Sequence, residues 1–519
     1  MRMERTKNAT RNVVYGVVLH IYQSVVPFIM RTVMIYYLGV QYLGLNSLFA
    51  SILSVLRLAE LGVGSAMVYS MYRPIAEDDK ATICALMRLY KIYYRIIGLV
   101  IGVAGGILTP FIPRLIHSNL PEGLNIYVLY LLHLSATVLS YWLFAYKNCL
   151  LTAHQRNDIK NKVVLAVDTG LYIIQFFVLL ILKNYYLYVI VILASQAVTN
   201  IVTSVIVDKK YPQYKAKGKL EKGKVNEINH RVADLFTSKI GLVVVNSADT
   251  IVISAYLGLT VLAIYQNYFY IMNSIISIIG IVMNSCMAGI GNSLVTETCE
   301  KNYNDLRKLT FIIVWISGFC TTCFLCLYQP FMVIWVGNEL LLPYNAVICL
   351  CIYFYIYQIN HLLNTFKDAG GIWHADRFRP LATALSNLCM NLIMVQIWGI
   401  YGIILSTVLS TLIVGMPWLL HNLFTTMFNK QQLKDYLRQL LSYSLIVIIV
   451  CFISEKACSL VYGASWTVLL IRLAICLIIP NAIFFVAYRK LSIFKQCIQL
   501  ADMITHKKLK LENRLIKEQ

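Results

Sequence analysis

Three ionisable residues stand inside apolar stretches where charge is expensive: Arg31 in VPFIMRTVMIYY, and Arg57 with Glu60 in SVLRLAELGVG. A charge at membrane depth costs at least about 2.5–3.5 kcal/mol, so it is seldom idle. One reading is a polar path or cavity through a membrane, with Glu60 as a carboxylate able to take up a proton or Na⁺. The other is that the charges pair with one another and only hold helices together. Further along, Lys239, Asn246 and Asp249 fall in a third apolar stretch, and Asn267 and Asn273 in a fourth. Asp249 joins Glu60 as a candidate coupling carboxylate.

These residues need helices to place them. The chain has 519 residues, is 59% hydrophobic and 13% charged, and has a mean hydropathy of +0.68. Soluble domains are about 45–50% apolar and about 25% charged, so this is an all-α polytopic membrane protein. About 20 apolar residues make a span. Fourteen stretches qualify, from 13–38 and 43–69 through 125–150, 235–257 and 261–294 to the short 381–398 and 441–454 and the last at 466–488. The basic Met1–Arg11 segment has no cleavage pattern and is read as leading into a retained first span. With the N-terminus cytoplasmic, 36 of the 45 Lys and Arg fall in inside segments and three outside, which places both termini inside. The net charge of +21 is thereby explained without nucleic acid. The basic loop 209–224 and the tail 507–517 face anionic lipid or are simply solvated. Lys147 is expected to snorkel, Asp168 to cap its helix or meet Lys162, and Arg472 to reach the headgroups.

The chain repeats itself. YYLGVQYLGLNSLF (36–49) resembles AYLGLTVLAIYQNY (255–268), and LGVGSAMV (61–68) resembles AGIGNSLV (288–295) in pattern. Two parallel six-helix halves follow. The first lobe with its basic inner loop is placed at 1–232, the second at 233–426, helices 13–14 at 427–488 and a basic cytoplasmic tail at 489–519. Polar residues recur at helical spacing on the first two helices of each half, among them His20, Gln23 and Arg31, then Ser54, Arg57, Glu60 and Gly64. Each such stripe should point inward, around a central cavity.

No catalytic constellation is present: no Walker A sequence, H-E-x-x-H or G-x-S-x-G. The chain is therefore read as a non-enzyme with no cofactor. Cys320, Cys323 and Cys326 recur every third residue, but no His or further Cys lies nearby in sequence to complete a tetrahedral site. They are read as apolar thiols packed between helices, with no metal.

The stretch LGVQYLGLNSLFASILSVLRLAELGVGSAMVYSMYRPIAEDD, joining the second helix to a Y-x-P-[IL]-A-x-x-D loop, resembles the signature of the Wzx-type oligosaccharide flippases. These belong to the polysaccharide transporter branch of the MOP exporter superfamily, beside MATE exporters and lipid II flippases. The resemblance implies two six-helix lobes with two appended helices, in a bacterial plasma membrane. It implies a polyprenyl-diphosphate-linked oligosaccharide moved from inner to outer leaflet by alternating access for cell-surface polysaccharide synthesis. Cavity cations would neutralise the diphosphate; Arg31 and Arg57 suit that role because guanidinium geometry matches phosphate oxygens. The implied partners are this lipid-linked substrate, membrane lipids, H⁺ or Na⁺, and glycan polymerases. Two alternatives stand beside it: a MATE-like cation-coupled exporter of small amphipathic molecules, and a non-transporting membrane partner of a glycan-assembly complex.

Overall fold

The computed structural model describes residues 5–504 except Leu61, Ser118, Asn119 and Glu122. Some helical side chains, including those of Lys239 and Asn246, and the basic tail 507–517 lie outside the described residues. The chain divides into two compact units, Met1–Ala263 and Ile264–Gln519.

The first unit holds α1 (Arg5–Tyr37), α2 (Val40–Leu56), α3 (Val63–Ala76), α4 (Lys80–Leu108), α5 (Ile126–Trp142), α6 (Asn148–Ala153), α7 (Asn157–Phe177), α8 (Tyr185–Lys210) and the start of α9 (Lys222–Thr296). In lipid, helices gain little from apolar burial and are held by close packing and hydrogen bonds. Gly44 of α2 shows the first of these: a Cβ there would lie 2.3 Å from the Leu259 carbonyl oxygen. The motif YRPIAEDD acquires a physical meaning between α3 and α4. Asp78 turns the chain with φ 55°, and Asp79 caps α4 by accepting the Thr82 N–H at 3.0 Å and the Thr82 hydroxyl at 2.5 Å. Part of the basic loop is held by protein: Tyr211 and Tyr214 are buried, the His154 ring packs tilted against Tyr211 with centroids 4.5 Å apart, and Arg88 donates to the Gly218 carbonyl at 3.0 Å.

The second unit continues with α10 (Cys299–Val336), α11 (Tyr344–Ala369), α12 (Trp373–Asp376), α13 (Arg379–Trp398), α14 (Ile400–Ser410), α15 (Met416–Thr426), α16 (Lys430–Ser459), α17 (Trp466–Tyr488) and α18 (Ser492–Ile504). Helix α10 packs against α11, α16 and α17. Its Trp315 lies 5.4 Å from Phe484 of α17 and stacks on Phe494 of α18 at 6.0 Å, ring centroid to centroid. The α13–α14 hairpin is joined by buried polar groups, with Asn387 donating to Thr407 at 2.9 Å and Ser406 to Asn391 at 2.5 Å.

Among the described residues, eleven helices are long and apolar enough to cross a membrane, or twelve if the bent pair at Ile126–Trp142 and Ala145–Ala153 is one span. The difference from the fourteen expected stretches arises in two places. The second stretch is broken: α2 ends at Leu56, a 3₁₀ turn runs Arg57–Glu60, and α3 starts after Gly62, whose φ of 89° suits glycine. The seventh and eighth stretches run together in α9, where Val243–Thr296 counts once, but Gly258 has non-helical torsions and divides them into two helices, as the sequence predicts. Gly258 (φ 88°, ψ 173°) and its counterpart in the sequence repeat, Gly39 (φ 113°, ψ 161°), share a backbone conformation. The second match has no such echo, since Gly64 follows a break whereas Gly291 sits in continuous helix.

Candidate functional site

The 3₁₀ turn places Arg57 and Glu60 where the apolar run of α2 stops, so the two do not lie on one continuous helix face as their spacing predicts. Nor do they pair: among the described residues no ion pair joins Arg57 to Glu60. Both oxygens of the Glu60 carboxylate instead accept tyrosine hydroxyls, Oε1 from Tyr94 of α4 at 2.7 Å and Oε2 from Tyr141 of α5 at 2.5 Å. Tyr90, one turn before Tyr94, donates to the Tyr94 hydroxyl at 2.7 Å. All three tyrosines are buried, and their rings pack at 4.4 Å (Tyr90–Tyr94) and 5.4 Å (Tyr94–Tyr141). Charge-assisted O–H···O⁻ bonds of this kind satisfy a carboxylate without a cation.

Arg57 is exposed, and its single hydrogen bond among the described residues is a long one, Nη2 to the Thr137 hydroxyl at 3.4 Å. A guanidinium carries five N–H donors, so most of its capacity is uncommitted. Gly64 keeps the cluster closed: a Cβ there would lie 3.2 Å from the Tyr90 hydroxyl. At the 219-residue offset of the first repeat match, Arg57 and Glu60 correspond to the buried Ile276 and Ile279.

Arg31 lies on α1 and Asp249 on α9, both half-buried. In the second unit Asn267 is fully buried, while Asn273 is exposed and its carbonyl accepts from Ser277. Three lesser candidates find partners. Lys147 reaches the exposed Asp208 at 2.6 Å. Asp168 accepts from Gln23 at 3.3 Å. Arg472 turns inward and donates to the Val461 carbonyl at 2.8 Å. Cys326 is packed between helices, where it meets Cys458 and Cys476 from distant parts of the chain.

A second kind of charged site was not anticipated from sequence. In the connection before α13, Arg379 holds Asp376 through both carboxylate oxygens, at 2.6 and 2.8 Å, and donates to Asn364 at 2.7 Å; Asn422 also donates to Asp376 at 3.0 Å. Lys367 stands 3.4 Å from the same carboxylate. The connection before α7 holds a like pair, Arg156 on the buried Asp158 at 2.8 and 3.1 Å.

No protein-family profile and no curated protein matches the chain. Solved structures do. The lipid II flippase MurJ in an inward closed conformation matches with a TM-score of 0.69 at 14% identity, covering 92% of this chain and 99% of that one. The chain has the fold of MurJ. An inward-facing multidrug resistance MATE transporter of the MOP superfamily matches with a TM-score of 0.58 at 14% identity, over 79% of this chain and 96% of that one. A MOP superfamily transporter from Pyrococcus furiosus, described as having a binding pocket of reverse polarity, matches with a TM-score of 0.50 at 14% identity, over 81% of this chain and 95% of that one. The all-α, MurJ- and MATE-like membrane fold is thus established.

Proposed function

We propose that the chain is a flippase carrying a polyprenyl-diphosphate-linked oligosaccharide across the bilayer by alternating access, with its termini cytoplasmic. The observation that carries this reading is the match to MurJ over nearly the whole of both chains, at a higher TM-score than the MATE structures. The uncommitted guanidinium of Arg57 supports it, because a diphosphate is a ligand for a bidentate donor fork. Arg31 is the second cation assigned to the headgroup. Reconstituted protein and a lipid-linked oligosaccharide test the reading directly. Arg57→Ala abolishes translocation and Arg57→Lys restores part of it, since charge survives but the fork does not. Full translocation by both Arg57→Ala and Arg31→Ala removes the cationic site.

A MATE-like, cation-coupled exporter is the second reading, favoured by one observation: Glu60 is held by neutral hydroxyls rather than by a cation. Glu60 is then the first candidate for coupling to H⁺ or Na⁺, with Asp249 as the second. A pH or Na⁺ gradient that changes the rate for wild type but not for Glu60→Gln supports coupling through Glu60. No effect of either gradient on wild type excludes it.

A further inference from the structure

Three helices of the second unit each bring one cysteine to a common point: Cys326 from α10, Cys458 from α16 and Cys476 from α17. The three sulfurs lie within 4.8 Å of one another, with Cys458 and Cys476 at 3.9 Å, and none of the residues is more than 3% exposed. Packed around them are Cys323, Leu327 and Ile475, none with a hard oxygen or imidazole ligand. Arg472 stands at the edge, its Nη1 donating to the Cys326 carbonyl at 3.5 Å.

We propose that Cys326, Cys458 and Cys476 form a three-thiolate site for a single Cu(I) ion. A three-coordinate ion with metal–sulfur bonds of about 2.3 Å spans sulfur–sulfur edges of about 4 Å, the separation already present between Cys458 and Cys476. Structural Zn²⁺ sites are four-coordinate, and among the described residues Cys323 packs against the cluster without belonging to the group whose sulfurs all lie within 4.8 Å, which no His or carboxylate joins either. Thiolates select soft ions, and magnesium, calcium and manganese want oxygen. Binding exchanges the three S–H protons for the ion, so three protons leave and the complex carries two net negative charges, one of which the Arg472 guanidinium offsets. Affinity therefore rises with pH. The bound ion would fasten α16 and α17 to α10, independently of the Glu60 site.

The test uses the full chain, reduced and purified in detergent, loaded with Cu(I) under a competing Cu(I) chelator without oxygen. Wild type retains about one copper more than the Cys458→Ser/Cys476→Ser double variant, which controls for the remaining thiols. X-ray absorption on loaded wild type shows three sulfurs on copper, a readout that stands even if the variant folds poorly. Equal copper in both proteins, two sulfurs or mixed nitrogen–oxygen ligation on the ion, or displacement of copper by equimolar Zn²⁺ overturns the proposal.

Discussion

Tyr94 is the pivot of the carboxylate cluster, because it donates to Glu60 and accepts from Tyr90. Tyr94→Phe leaves a carboxylate oxygen and the Tyr90 hydroxyl without their partner, at a cost of about 1–3 kcal/mol. Tyr90→Phe removes only the outermost donor and costs about 0.5–1.5 kcal/mol. Thermal unfolding in detergent should rank the two in that order; equal or reversed shifts contradict the hydroxyl chain. Asp376 offers a larger contrast. Asp376→Asn strands the 5%-exposed Arg379 and is expected to destabilise by about 3–5 kcal/mol. Glu77→Gln in the exposed Arg73–Glu77 pair should be nearly silent. Arg57 and Glu60 were legible in the sequence because charge is rare in an apolar run. The tyrosines were not: they are three among 35, and Tyr141 reaches Glu60 across 81 residues. Asp376 and Arg379 escaped notice for the opposite reason, since charges in a polar connection read as solvated ones.

Among the helices, the tightest constraint on the first unit is the approach of α2 to Leu259. Gly44→Ala puts a methyl group against a backbone carbonyl that cannot swing aside, so α2 must shift. A clear fall in melting temperature is expected, whereas Gly106→Ala, with open space around it, should cost little. The cap of α4 adds a pH dependence. The Thr82 hydroxyl, then its N–H, hold the Asp79 carboxyl below the usual carboxylate range. Its contribution is present above the unfolded-state pKa and is lost as pH falls through the lower folded value. Asp79→Ala should therefore lower the melting temperature at neutral pH and converge on wild type in acid; a constant difference across pH argues against the cap. Hydropathy located the apolar helical stretches well. It did not foresee the break at Arg57–Gly62, because hydropathy records side-chain transfer and not the backbone torsions that end a helix.

For the molecule as a whole, the orientation proposed from loop charge makes the basic connection 211–221 cytoplasmic and the α16–α17 connection external. Lys219→Cys and Tyr462→Cys, in a background cleared of reactive native thiols, test it with an impermeant reagent on intact cells. Tyr462→Cys should label and Lys219→Cys should be protected; the reverse pattern inverts the topology. The fold was legible at this scale because lipid imposes helices on any chain of this composition. The repeat was legible at Gly39 and Gly258, whose positive φ only glycine adopts freely, and it faded where selection had no such torsion to preserve.

The interrupted second helix also has a mechanical side. An unbroken helix behaves as a rod and passes a push along its axis. A rod cut at Arg57–Gly62 passes bending instead, so α2 and α3 can change their mutual angle without either one melting. The tyrosines on Glu60 then work as a brake, pinning the joint to α4 and α5. Amide exchange measures both parts of that device: protons across the joint should exchange faster than those within α2, and faster again in Tyr94→Phe.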